Sequence, residues 1–158
     1  MAVVDSSVII HLARIGKLRL LSRYFKKIKI TQGIEQEITK DGKAGYDEIK
    51  NGIGKWIEIK KAGQLTEKTG ILSSADIELI KMAESEKDFI LTNDGNIILF
   101  AKARGIETMW LTTFLILCAR KKLIDKKEAK RILHDLVKCG CYIRTDTYAS
   151  VQDLIDEI

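Results

Sequence analysis

Short apolar runs, each followed by a segment with helical spacing, alternate along most of this chain. Strands that alternate with helices are typical of a mainly parallel sheet, because parallel neighbours need a long crossover connection. The pattern predicts an α/β fold of three layers, α/β/α, with the sheet in the middle. The predicted strands are Ala2–Val4, Ile28–Ile30, Trp56–Ile59, Phe89–Thr92 and Thr108–Leu111.

Apolar residues three and four positions apart predict helices between and after these strands. The stretch 40–55, with its glycines, gives no clear prediction. The predicted helices run from the serines after Asp5 to Ile15, from about Leu18 to Phe25, onward from Thr31, from Ser73 or Ser74 to Glu86, from Ile97 to Arg104, from Phe114 to Lys122 and from Lys126 to Lys138.

The 158 residues are 46% hydrophobic and 31% charged, which fits a single folded domain over residues 1–158 without a linker or repeat. The longest uncharged run, Thr108–Ala119, has twelve residues. A bilayer span needs about 20, so no membrane segment is predicted. The apolar strand begins directly after Met1 and leaves no room for a signal peptide. We therefore expect a cytoplasmic protein.

The net charge of +5 is concentrated in two basic segments. Residues 11–30 carry seven Lys and Arg and no acid, and residues 120–144 carry nine basic residues against three acidic ones. Such clustering favours a polyanion, with RNA as the expected partner. The alternative is a solvated surface in a chain that simply has many lysines.

Two aspartates come directly after apolar strands, Asp5 after the first and Asp94 after the fourth. Parallel sheets bind ligands at the carboxyl ends of their strands, so both residues are expected to reach one crevice. Each also has a plain structural explanation. Asp5 could cap the next helix, and Asp94 could serve only as a turn residue before Gly95.

Two further acids lie where apolar residues are expected. Glu37 falls on the inner stripe of its helix with Ile34, and Asp76 begins the inner stripe of another, although a capping box with Ser73 would also explain it. Four carboxylates facing one crevice would repel one another unless a cation neutralised them. Hard oxygen ligands select Mg²⁺ or Mn²⁺, which activate water for phosphodiester hydrolysis.

Other chemistries find little support in the sequence. The three cysteines and two histidines form no familiar zinc or nucleophile spacing, and neither a Gly-x-Ser-x-Gly motif nor a phosphate-binding glycine loop is present. Covalent catalysis, a structural zinc site and nucleotide binding are therefore disfavoured.

The order of four short motifs resembles the PIN-domain ribonucleases. These motifs are Val3–Ser7, Ile30–Glu37, Ser73–Asp76 and Leu91–Asp94, and residues 101–106 are similar to the family's helix and glycine before its last strand. The closing segment 139–144 with Tyr148 is similar to the tail of an archaeal and bacterial PIN subgroup.

The resemblance implies an Mg²⁺- or Mn²⁺-dependent endoribonuclease. Carried over to this sequence, it makes the metal ligands and catalytic residues Asp5, Glu37, Asp76 and Asp94, with Ser7 and Thr92 orienting carboxylates or phosphate. It also suggests an antitoxin protein as a possible partner, if the enzyme is a toxin rather than an RNA-processing factor. Two positions depart from the pattern, since Asn93 and Asn96 stand where many relatives have acids. Glu78 could substitute as a ligand but should point away from Asp76.

The competing hypothesis is a non-catalytic PIN-like RNA-binding or scaffold module, in which the carboxylates would pair with Lys or Arg. A homodimer is also expected, because the helix from Phe114 to Lys122 is apolar around much of its circumference. The alternative is that the helix from Lys126 to Lys138 covers it within the same chain.

Overall fold

The computed structural model describes residues 1–40, 42–63 and 70–158. Five parallel strands form its sheet in the order β3-β2-β1-β4-β5. This confirms the predicted α/β fold. The strands are β1 (Ala2–Val4), β2 (Ile28–Thr31), β3 (Ile57–Lys60), β4 (Phe89–Thr92) and β5 (Thr108–Trp110).

The central strands are apolar because helices cover both faces of the sheet. All three residues of β1 are fully buried, and so are Ile28, Ile30 and Ile90 in the strands beside it. A strand buried on both faces has no polar side to alternate with. Its sequence is therefore a continuous apolar run, which is the signal visible at Ala2–Val4.

The described residues form nine helices around the sheet. These are α1 (Ser6–Arg14), α2 (Arg19–Phe25), α3 (Gln32–Ile38), α4 (Tyr46–Gly52), α5 (Ser74–Glu86), α6 (Gly95–Ala103), α7 (Leu111–Arg120), α8 (Lys126–Lys138) and α9 (Thr145–Asp156).

Two helical layers sandwich the sheet. Right-handed crossovers place α1 to α4 on one face and α5 and α6 on the other, because the connection from β3 to β4 reverses direction. Contacts agree with this arrangement: α1 touches α3 and α4, whereas α5 touches α6. The last three helices join the first layer, where Phe114 of α7 packs against the rings of Tyr24 and Phe25.

Two helices were not expected from the sequence. In the uncertain stretch 40–55, α4 has Gly45 as its N-cap, and the φ of 81° there is readily adopted by glycine. The final helix α9 buries only Val151 and Ile155, so its apolar stripe is too sparse to predict a helix. Helix α7 also begins at Leu111, three residues before the expected Phe114.

Helix α7 is covered within its own chain. Its buried side chains include Phe114, Leu115, Ile116 and Cys118, and it packs against both α8 and α9. The argument for a dimer from an uncovered α7 was therefore wrong. No helix among the described residues is long and apolar enough to cross a membrane.

Candidate carboxylate site

The strand order reverses between β1 and β4, and this point holds the candidate site. Ligands of open α/β sheets bind outside the carboxyl ends of the strands at such a reversal. Asp5 follows β1 directly, and its backbone N–H donates to the Leu91 carbonyl of β4 at 3.0 Å. The Asp5 side chain is therefore fixed at the centre of the carboxyl edge.

The Asp5 carboxylate is buried, with two hydroxyl groups bonded to its Oδ2 and a longer bond of 3.4 Å from Ser6 Oγ to its Oδ1. Ser7 Oγ donates to Asp5 Oδ2 at 2.6 Å, and Thr92 Oγ1 donates to the same oxygen at 2.8 Å. Although Asp5 stands at the N-cap position of α1, its side chain makes no capping hydrogen bond. The helix-cap explanation for Asp5 therefore fails, and Ser7 and Thr92 do orient a carboxylate.

Burial raises the pKa of Asp5 above its usual value. The hydrogen bonds from Ser7 and Thr92 favour the charged form and oppose this shift, while the nearby Asp76 carboxylate adds to it. Asp5 and Asp76 are thus near enough to repel one another. A cation between them would relieve both the repulsion and the desolvation of Asp5.

Asp94 is linked to Asp5 through Thr92. The Asp94 backbone N–H donates to Thr92 Oγ1 at 3.0 Å, so one buried hydroxyl contacts both residues. The Asp94 side chain caps α6 by accepting from the Asn96 N–H at 2.8 Å. Asp94 therefore does cap this helix, but only its Oδ1 takes part in the described contacts of the side chain.

Asp76 likewise caps the helix on which it lies. Its Oδ2 accepts from the Ser73 backbone N–H at 2.9 Å, and the Asp76 N–H donates to Ser73 Oγ at 3.2 Å, which completes a capping box. The box fixes the first turn of α5 and with it the position of this half-buried carboxylate.

Glu37 lies in a surface hollow of about 420 Å³ between α3 and the start of α5. Glu78 lines the same hollow, and a methyl group on Gly33 would come 2.8 Å from its Oε2. Glu78 thus reaches the α3 face that carries Gly33 and Glu37. Sequence periodicity within α5 could not reveal this, because the approach of α3 is a tertiary contact.

The donor chemistry of these residues fits a divalent cation, although the side chains do not form a closed cage. Among the described residues, no three acidic, His or Cys side chains lie close enough together to hold a metal ion. The structure links Asp5 to Asp76 electrostatically and to Asp94 through Thr92. Glu37 makes no hydrogen bond to them within the part of the chain described.

At the opposite edge of the sheet, a lysine of the same chain neutralises two acidic side chains. Buried Lys29 donates to Glu86 and, at 2.7 Å, to Asp88. Burial works against the charge on Lys29, but the two carboxylates outweigh it and raise the pKa of the ammonium. At the carboxyl edge, no described Lys or Arg makes an ion pair with Asp5, Asp76 or Asp94, nor with Glu37.

Asn93 is a site residue whose role the sequence did not indicate. Its Nδ2 donates to the Tyr142 carbonyl at 3.0 Å and to Cys141 Sγ at 3.3 Å. These bonds join the loop after β4 to the segment between α8 and α9. The partners are 48 and 49 positions apart, so no local pattern predicts them.

The two basic segments meet in space. Arg14 Nη1 donates to the Cys139 carbonyl at 3.4 Å, Lys17 Nζ to Glu128 at 2.7 Å, and Arg23 Nη2 to the Leu123 carbonyl at 2.7 Å. We call the line of these three contacts the basic seam. It brings residues 11–30 and 120–144 together on the face of the sheet that carries α1 and α2.

One solved structure supports the fold. The chain is similar to a PilT N-terminus domain protein from the hyperthermophilic archaeon Sulfolobus solfataricus P2, at 18% identity and a TM-score of 0.57 over 72% of this chain and 90% of that one. A domain of a functionally unknown protein from Methanocaldococcus jannaschii DSM 2661 gives 23% identity and a TM-score of 0.48 over 70% of this chain and 89% of that one.

No curated protein sequence matches the chain. A family model does, and it covers nearly the whole length: the DUF3368 model, described as a PIN domain, matches residues 1–157. The match spans every strand and every candidate carboxylate, and it confirms the resemblance seen in the four motifs. The chain therefore belongs to the DUF3368 family of PIN domains.

Proposed function

We propose that this protein is an Mg²⁺- or Mn²⁺-dependent endoribonuclease. PIN domains are generally nucleases, so family membership supports a hydrolase of the nuclease kind. The observation that carries the finer proposal is Asp5, a buried carboxylate at the strand-order reversal with a like charge beside it and no described basic partner.

The residues that would hold the cation are Asp5, Glu37, Asp76 and Asp94. When bound, a divalent ion supplies a water of lowered pKa and offsets charge on the phosphate under attack. Ser7 and Thr92 hold one oxygen of Asp5 in place, which keeps the carboxylate oriented without neutralising it. Arg14 and Arg23 of the basic seam, whose described hydrogen bonds go to backbone carbonyls, would attract the RNA backbone, whereas Lys17 is ion-paired with Glu128.

The ion pairs favour the enzyme over the scaffold module. A scaffold has no need to leave several carboxylates unneutralised at one edge, and Lys29 at the opposite edge gives a local example of the alternative. The antitoxin partner and the homodimer remain predictions.

Cleavage of a labelled RNA by the purified protein, in Mg²⁺, in Mn²⁺ and in excess chelator, tests the proposal. We expect cleavage only with the metal, and a loss of more than about 100-fold in Asp5→Asn, since even residues behind the ligands cost 10- to 100-fold. Glu107→Gln is the matched control, because Glu107 is exposed at the opposite edge. Undiminished cleavage by Asp5→Asn, or in chelator, would contradict the proposal.

A further inference from the structure

Two exposed aromatic rings flank the loop that follows β4. We propose that Trp110 and Tyr142 form a base-binding platform, on which unpaired nucleic-acid bases stack beside the carboxylates. The proposal rests on the proposed function and deepens it, because it names two residues that would position the substrate at that site.

Trp110 and Tyr142 are more exposed than the other aromatic residues of the chain. The chain has ten aromatic residues, 2 Trp, 4 Tyr and 4 Phe, and all lie in the described ranges. Eight are buried or half-buried, whereas Trp110 is 41% exposed and Tyr142 is 80% exposed. Large rings left in water together, at one edge of a fold, mark an interaction surface more often than single exposed residues do.

Trp110 lies beside the turn that carries Asp94. It is the last residue of β5, at the same sheet edge as Asp5, and its Cη2 would be 3.7 Å from a methyl group placed on Gly95. Gly95 directly follows Asp94 and has no side chain to cover the ring. The indole is therefore adjacent to the candidate site and open to a ligand.

Tyr142 is held at the other side of this loop by its backbone. Its carbonyl accepts from Asn93 Nδ2, and the preceding Cys141 is buried and contacts the same amide. The main chain is thus fixed next to the residue that precedes Asp94, while the ring projects into solvent. Because the main chain is already ordered, stacking of a base on the ring costs side-chain entropy only.

The basic seam leads to this platform. Arg14 contacts the Cys139 carbonyl, and Tyr142 follows three residues later. At 3.3–3.6 Å per residue, the chain between them spans at most about 11 Å. A single strand can therefore place its phosphates on the seam and its bases on the rings, the combination by which proteins hold single-stranded nucleic acids.

The competing occupant of the two rings is a second copy of this chain. A second copy would bury the same apolar surface, but its binding would not depend on nucleic-acid bases. The two occupants are distinguished by ligands that share a phosphate backbone and differ only in whether bases are present.

The first measurement uses Trp56→Phe, in which Trp110 is the remaining tryptophan. In chelator, so that no cleavage occurs, the variant is titrated with an oligouridylate and with an abasic oligomer of equal length. We expect only the base-containing strand to quench the fluorescence of Trp110, and we expect that strand to bind more tightly than the abasic one. Equal binding of both strands without quenching would overturn the platform.

The second measurement compares affinities by the anisotropy of a labelled oligouridylate. Trp110→Ala and Tyr142→Ala should each weaken binding by about 5- to 150-fold, as expected for the loss of one stacked base. The salt dependence should stay unchanged, because stacking releases no counterions. Phe at either position should restore most of the affinity, and Val137→Ala, at a residue that is also 41% exposed, should bind as the parent does.

The outcomes separate the platform from the nuclease. If the alanine variants bind normally while the parent cleaves RNA with Mg²⁺, the platform is refuted and the nuclease is not. If quenching and the affinity losses occur but no metal supports cleavage, the platform is supported and the protein is a binding module rather than a nuclease. If a concentration-dependent mass increase disappears in the alanine variants and base-dependent binding is absent, the rings belong to a dimer interface and the platform is overturned.

Discussion

At the scale of single residues, Thr92 connects two of the candidate metal ligands. One fully buried hydroxyl donates to the Asp5 carboxylate and accepts from the Asp94 N–H. Asp5 and Asp94 were predictable because an apolar strand ending in Asp is a local pattern. The position of Glu78 beside Glu37 was not, because it depends on how α3 packs on α5.

We expect Thr92→Val to lower metal-dependent cleavage by about 10- to 100-fold, as for other residues that orient a metal ligand. It should also cost about 1–3 kcal/mol of unfolding free energy, since the Asp94 N–H loses its partner. Kinetics and urea unfolding measure the two effects. Thr92→Ser should restore both, and Thr108→Val, at the far end of β5, should leave cleavage unchanged.

Asp5→Asn should be at least as stable as the parent at neutral pH in chelator. Asn can still accept from Ser7 and Thr92, because both donate to the same oxygen, and it removes a buried charge beside Asp76. The native pKa of Asp5 lies above its unfolded value of 3.8, so between the two values the native state retains a proton that the unfolded chain has released.

The parent therefore loses stability relative to Asp5→Asn as pH rises from below about 4 through the native pKa of Asp5. Urea unfolding over a pH series measures the difference between the two proteins. A difference that shrinks with rising pH would contradict the raised pKa.

At the scale of secondary-structure elements, the contact of α4 with α1 depends on one glycine. Gly45 has a φ of 81°, and a methyl group there would lie 2.5 Å from Ala13 Cβ and 2.9 Å from the Ala13 carbonyl oxygen. This explains why α4 was difficult to predict. Its N-cap residue is a helix breaker in local terms, and glycine is needed there both for the left-handed φ and for the close approach of the neighbouring helix.

Gly45→Ala should therefore lower the unfolding free energy by about 2–4 kcal/mol, the sum of left-handed backbone strain and overpacking. Gly54→Ala is the matched control, because Gly54 has a φ of 79° and open space around it. It should cost only the backbone part, about 1–2 kcal/mol. Equal losses in urea unfolding would show that the contact with Ala13 contributes nothing.

At the scale of the whole molecule, the parallel sheet follows from the sequence more directly than the order of its strands or its surface does. Five apolar runs and their helices predict parallel strands, and one reversal of strand order places Asp5 and Asp94 together. That α8 covers α7 was one of the two possibilities that the sequence offered, whereas the contribution of α9 could not be predicted, because α9 has too few apolar residues to be recognised alone. The role of α9 is evident only from its packing against α7.

RNA affinity should fall steeply and linearly on a logarithmic scale as salt rises, because Lys and Arg release counterions from the phosphates. Arg14→Gln, at the basic seam, should reduce the slope by about 0.7 if that side chain contacts one phosphate of a single strand. Lys87→Gln, at the amino edge of the sheet, should leave the slope unchanged. A flat salt response of the parent would remove the electrostatic argument.

The bond from Asn93 to Tyr142 also sets an order of events during synthesis. Asn93 is made 49 residues before Tyr142, and a ribosome that adds about 5–20 residues each second needs roughly 2–10 s for that interval. Throughout it the loop after β4 has no anchor from the later segment, and the second ring of the platform does not yet exist. The proposed nuclease is therefore incomplete while its chain is still growing beside the messenger RNA that encodes it.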